Sequence, residues 1–199
     1  MSLRKWKNEF SKKEFVKLIK DVAGKTMYYF NYTRKPFISE RNLPEGTLMC
    51  FLSSGNKSMV AYDYVKFKRA FGNWDGYWQR LYAIQVMAHE MRHYYQYRQI
   101  VAKNPDEDKN TISDWKINKV IKTRGMEKTD NYKYWFSSKE LDANLYAYIF
   151  AIEHFDNAML DHIQSIEHFN AFKKLYKKNG GKNLKKFFPR RIKKQLLQM

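Results

Sequence analysis

Cysteine is almost absent from this chain of 199 residues: only Cys50 occurs, so no internal disulfide can form and the fold is not stapled covalently. A lone thiol suits a reducing compartment and reads as a small buried apolar residue. Long apolar runs are missing too. None approaches the roughly 18 residues of a membrane span, and the basic start leads into no stretch of about 7 to 15 apolar residues such as a secretory signal carries. The expected location is cytoplasmic. Acidic residues are scarce, with 20 Asp and Glu against 38 Lys and Arg, a formal charge of +18. That balance favours nucleic acid, anionic surfaces or acidic partners, or else reflects a lysine-rich solvated surface. Apolar and aromatic side chains are plentiful, at 44% and 17%, which supplies a core and excludes disorder throughout. The length suits a single domain over residues 1–180 followed by a basic tail over 181–199.

The stretch from Leu81 to Ile100 carries the chemistry, because His89, Glu90 and His93 stand there in the pattern His-Glu-x-x-His. Leu81, Ile84, Met87, Ala88 and Met91 recur at helical spacing, and no Pro or Gly falls between Trp78 and Ala102. On a helix the two imidazoles, four residues apart, share one face and can hold one zinc ion through bonds of about 2.0 to 2.1 Å. A third protein ligand completes such an anchor and leaves the fourth position for water, which zinc acidifies and a neighbouring carboxylate deprotonates. Glu90 is the candidate general base. This is the metalloprotease arrangement; the alternative is a helix that happens to carry two surface histidines.

Around that helix the chain divides into recognisable pieces. Ser11 and Glu14 form a capping-box pattern ahead of Phe15, Leu18, Ile19 and Val22, which predicts a helix over 12–23 ended by Gly24. Residues 31–45, with Pro36 and Pro44, read as an extended connection. Thr47 to Ser53 and Ser58 to Tyr64 flank a turn over Ser54-Gly55-Asn56-Lys57 and read as a β-hairpin. Its edge could hold a substrate by main-chain pairing or be purely structural. Asp75 is placed to cap the histidine-bearing helix.

Periodicity fails from 103 to 136, apart from a helical candidate at 113–122, so this segment reads as a lid, a substrate rim or a surface loop. A second helix begins near Ser137 or Ser138 with Leu141, Asn144, Leu145 and Tyr148 on one stripe. In its first turns Glu140 and Asp142 compete as third ligand. Helix geometry points them about 200° apart, so only one can face a metal. Glu140 is favoured, although Ser137-x-x-Glu140 is itself a capping-box pattern, and a ligand elsewhere in the chain stays open. Residues 157–178 predict a further helix, and the tail from Leu184 interleaves Lys and Arg with Leu, Phe and Ile in a basic amphipathic pattern. His154, His162 and His168 read as surface or hydrogen-bonded histidines. One of them, or Tyr146, could stabilise an oxyanion.

His89-Glu90-Met91-Arg92-His93 followed by Glu140-Leu141-Asp142-Ala143-Asn144 resembles the gluzincin arrangement, and the order of helix, hairpin, zinc helix and Glu helix is similar to the compact ImmA/IrrE-type metallopeptidases. The resemblance implies zinc held by His89, His93 and Glu140, Glu90 as general base, and Asn144 as a partner of a zinc-bound histidine. Arg92 stands where those peptidases often have Gly, and Asn144 where many gluzincins have Asp. Gln96 and Gln99 occupy the places where a metzincin requires Gly and His, which excludes that pattern. Gln96 falls near the face of His93 one turn on, where it could bond a ligand or merely finish the helix. The expectation is an α+β, mainly helical zincin-like domain with a small antiparallel hairpin. It would act as a zinc-dependent peptidase on protein or peptide substrates. The alternative is a basic nucleic-acid-associated protein, bound through its surface and tail, in which the zincin site is structural or degenerate.

Overall fold

Six helices and a three-stranded mixed sheet make up the described part of the computed structural model, which covers residues 10–54, 57–120 and 132–154. The α+β, mainly helical expectation holds. The expected helix over 157–178, the basic tail, His162 and His168 lie outside the described residues. None of the described helices is long and apolar enough to cross a membrane. The chain forms two compact units, Met1–Tyr94 and Tyr95–Met199.

In the first unit, helix α1 (Lys12–Tyr29) starts at the expected capping box, with Glu14 N donating to Ser11 Oγ and Ser11 N donating to the Glu14 carboxylate. Phe15, Ile19, Val22, Ala23 and Met27 face inward at steps of three and four. Gly24 does not end this helix. An interior glycine costs only about 1 kcal/mol relative to alanine, and burial on both sides of it carries the helix one and a half turns further. The stop is at Asn31, whose φ of 54° is left-handed. Asn31 N bonds Tyr28 O and Tyr32 N bonds Met27 O, the paired closure of a Schellman motif.

Strands β1 (Phe37–Glu40), β2 (Met49–Ser54) and β3 (Lys57–Tyr62) form a sheet in the order β1-β3-β2. The expected hairpin is present, with β2 and β3 antiparallel from Met49↔Tyr62 to Ser54↔Lys57. The mixed character comes from β1, which pairs parallel with β3 inside the stretch read as an extended connection. Helix α2 (Tyr64–Phe71) is capped by Asp63, which accepts from both Lys66 N and Leu43 N. Phe15 meets the rings of Phe10, Tyr62, Tyr64 and Phe67 at centroid distances of 4.7 to 5.8 Å, an aromatic core between α1, the sheet and α2.

Helix α3 (Gly76–Val101) is continuous over 26 residues and is capped as expected, Tyr77 N donating to Asp75 Oδ1 at 2.7 Å. Near its start the buried Arg80 bonds Glu14 and lies over the Phe10 ring, so α1 and α3 are tied by charge and packing together. Leu81, Ala83, Ile84, Met87, Ala88 and Met91 are fully buried.

Among the described residues, the second unit holds the last turns of α3 and three shorter helices. Helix α4 (Lys109–Lys116) begins four residues before the expected start, because Asp108 of the acidic cluster caps it through Thr111 N. It closes as α1 does, on a left-handed Asn118. A short helix α5 (Tyr132–Trp135) leads into α6 (Ser138–His154). Ser138 N bonds Lys119 O and Ser138 Oγ bonds Asp114 O, which anchors the start of α6 to the end of α4.

Candidate metal centre

Two imidazoles converge on α3. His89 Nε2 and His93 Nε2 are 2.9 Å apart, with the rings near perpendicular at 86°. Two nitrogens bound to one tetrahedral zinc are separated by about 3.3 Å, from bonds of about 2.05 Å. The 2.9 Å separation is a hydrogen-bond distance between the two ring nitrogens, about 0.4 Å short of the separation a shared zinc ion would set, and the spacing of four on a helix is what brings both rings to one side. Both rings are half-buried, and the apolar residues behind them seat the helix rigidly.

Glu140, in the first turn of α6, supplies the third member. His89, His93 and Glu140 each offer a donor atom, and these atoms lie within 4.8 Å of one another. Among the described residues this is the group of His, Cys, Asp or Glu side chains that could hold a metal ion. Two nitrogens and one carboxylate oxygen form a donor set suited to zinc and its first-row neighbours. Asp142, the competing carboxylate, is turned elsewhere and accepts from Gln96 Nε2 at 2.8 Å. The capping-box alternative for Glu140 is not built, since Ser137 Oγ is buried and has no hydrogen-bond partner among the described residues. Glu140 is 8% exposed.

Glu90 points to another neighbour. Its Oε2 accepts from the backbone N–H of Phe51 on β2 at 2.7 Å, and the residue is 7% exposed. Asp63 N bonds Leu48 O beyond the hairpin register, and alternation along an antiparallel ladder then turns the main-chain groups of Met49, Phe51 and Ser53 toward the outer edge of β2. Glu90 thus grips the outer edge of β2 at Phe51. Burial first, and then the negative charge of Glu90, push the Cys50 thiol above its ordinary range, which keeps it protonated beside the carboxylate.

The remaining candidates are dispersed. Asn144 lies one turn after Glu140 on α6 and is half-buried. Tyr146 is 1% exposed with its ring against Phe150, about 240° around the helix from Glu140. His154 packs its ring against Phe150 at 4.6 Å at the end of α6.

Two glutamines of α3 bond groups distant from their own turn, Gln96 beyond the two alternatives its spacing offered. Gln99, 3% exposed, accepts from Asp106 N and Glu107 N and so clamps the loop after α3. Gln96, 1% exposed, donates to Lys139 O and to Asp142. The signal available in advance was their position: Arg92, Gln96 and Gln99 fall within about 100° of His89 around the helix, a polar stripe on a helix whose other faces are mostly apolar.

Comparison with family models, with curated proteins and with solved structures gives no match for this chain.

Proposed function

We propose that this chain is a zinc-dependent metallopeptidase of the gluzincin type, similar to the ImmA/IrrE-type enzymes, in which His89, His93 and Glu140 hold the ion and Glu90 is the general base. The observation that carries the reading is the convergence of those three donors on a group fit for one cation, with a carboxylate next in sequence to the first histidine. Bound zinc supplies Lewis acidity, polarising a carbonyl and acidifying water to a pKa of about 7.

Glu90 takes the proton from the attacking water and passes it to the leaving amide nitrogen, so that water is added across the C–N bond as it breaks. Because Oε2 already accepts from Phe51 N–H, the proton goes to Oε1, and the bond to β2 holds the carboxylate from rotating. The same bond sets the base against the outer edge of β2. An extended substrate paired along that edge at Ser53 passes close to Glu90. Asn144 is the candidate for orienting an imidazole.

Metal content and peptide hydrolysis of the purified protein test the reading together. It expects about one equivalent of zinc per chain, and cleavage of an unstructured protein substrate that is abolished by a chelator and restored by zinc. A folded protein that takes up no metal at saturating zinc contradicts it.

A further inference from the structure

Gln96 is among the most deeply buried polar residues of α3, at 1% exposure. A primary amide removed from water without partners costs on the order of 1 to 3 kcal/mol, so its place in the interior is set by what it bonds. Both partners found for Nε2 are acceptors, the carbonyl of Lys139 at 2.9 Å and the carboxylate of Asp142 at 2.8 Å. The amide orientation follows from the chemistry, since only the NH₂ end can face two acceptors.

These two partners bracket Glu140. Lys139 is the residue before it and Asp142 lies two residues after it, all in the opening turns of α6. A carbonyl in a first helical turn already accepts from the N–H four residues on, so the bond from Gln96 is an added tertiary contact, not a cap. Holding the backbone on one side of Glu140 and a side chain on the other fixes the rotation of this turn about its axis. Each residue of helix is about 100° of rotation, so a turn left unfixed would carry the Glu140 carboxylate away from its direction. The other end of the clamp is on α3 itself, three residues after His93 on the same continuous helix.

We infer that Gln96 is a positioning residue for the metal centre: its amide locks the first turn of α6 to α3 so that Glu140, and not Asp142, is presented to the two histidines. The inference rests on the metal-binding reading above. It also accounts for Asp142, whose carboxylate is engaged by Gln96 and thereby kept from the ion.

Gln96→Glu keeps the shape and replaces the donor with a third acceptor facing Lys139 O and Asp142. Zinc affinity, read by competition with a chromophoric chelator, should fall about 10- to 100-fold, the usual effect of losing a group that orients a ligand. The visible absorption of the cobalt-loaded variant should change in band position or intensity, which a fold defect alone does not produce in the fraction that binds. Adding Asp142→Asn to Gln96→Glu restores one donor and acceptor pair and should recover much of the lost affinity. Gln96→Met, similar in shape but without a donor or an introduced charge, serves if Gln96→Glu does not fold, and should also weaken binding. Folding of each metal-free variant is followed by circular dichroism. Affinity within about twofold of wild type and an unchanged cobalt spectrum in the folded variant overturn the inference. Failure of the wild type itself to bind zinc or cobalt overturns the peptidase reading, and this inference with it.

Discussion

Helices α1 and α3 solve the same packing problem in opposite ways. Helix α1 sorts its residues: Phe15, Ile19, Val22, Ala23 and Met27 go inward, and the one buried polar side chain, Thr26, bonds back to Val22 O and Ala23 O of its own helix. Helix α3 buries polar groups along with apolar ones, including Glu90, Arg92, Gln96 and Gln99. Glu90, Gln96 and Gln99 bond groups outside the helix, on β2, on α6 and on the loop after α3. Burying such groups is costly unless each finds a partner, so α3 sacrifices simplicity of packing for fixed geometry. Damage to α1 should therefore lower stability and spare the site, while damage to the polar stripe of α3 should disturb the site beyond any loss of stability.

The sharpest break in that contrast comes from Glu90→Gln. Peptide hydrolysis should fall by about 10²- to 10⁴-fold, the usual worth of a general base, with zinc stoichiometry and unfolding midpoint close to wild type. Cleavage at the wild-type rate would remove Glu90 from the chemistry. On the other helix, Phe15→Ala deletes a ring packed against four others and should destabilise by about 3 to 5 kcal/mol in denaturant unfolding. Zinc bound per folded molecule should not change. Ser11→Ala removes the side-chain half of the capping box and should cost about 1 kcal/mol, again without effect on metal.

The smallest effect concerns pH. The Lys66 N–H, and then the Leu43 N–H, hold the Asp63 carboxyl below its ordinary value of 3.8 despite burial. A carboxyl lowered on folding contributes stability that is complete above its unfolded value and is lost as pH falls through its folded value. Wild-type stability should therefore decline through and below pH 3.8 partly on account of this residue. Asp63→Asn should shrink that decline, as measured by unfolding free energies at pH 7 and at about pH 3.

Much of this was readable in advance where it depends on neighbours in sequence. The His89 and His93 pair, the Ser11 and Glu14 box and the Asp75 cap are all set by spacings of two to four residues, and each stands in the structure where spacing put it; the two strands of the hairpin pair as expected, with Ser54 and Lys57 belonging to the strands and not to the turn. What escaped depends on less common local choices or on distance. Helix α1 passes Gly24 and ends on Asn31 because asparagine, too, tolerates the left-handed conformation that closes a Schellman motif. Strand β1 is only four residues long and takes its direction from a parallel partner more than 20 positions away, so no local pattern announces it. The grip of Gln96 on Lys139 and Asp142 spans more than 40 positions and appears only once α6 is docked on the end of α3. Glu140 was an intermediate case. Its spacing allowed two roles: Ser137 Oγ has no hydrogen-bond partner among the described residues, so the capping box is not formed, and Glu140 stands in a group that could hold a metal ion.

Zinc binding to the wild type and to Glu140→Gln, titrated side by side on folded protein, tests the central claim most directly. The account predicts about one equivalent of zinc held by the wild type, and a loss of affinity of at least about 100-fold in the variant, with the two histidines alone unable to retain the ion. Equal affinity in the two proteins would contradict Glu140 as a ligand, and the absence of zinc from both would contradict the metal centre itself.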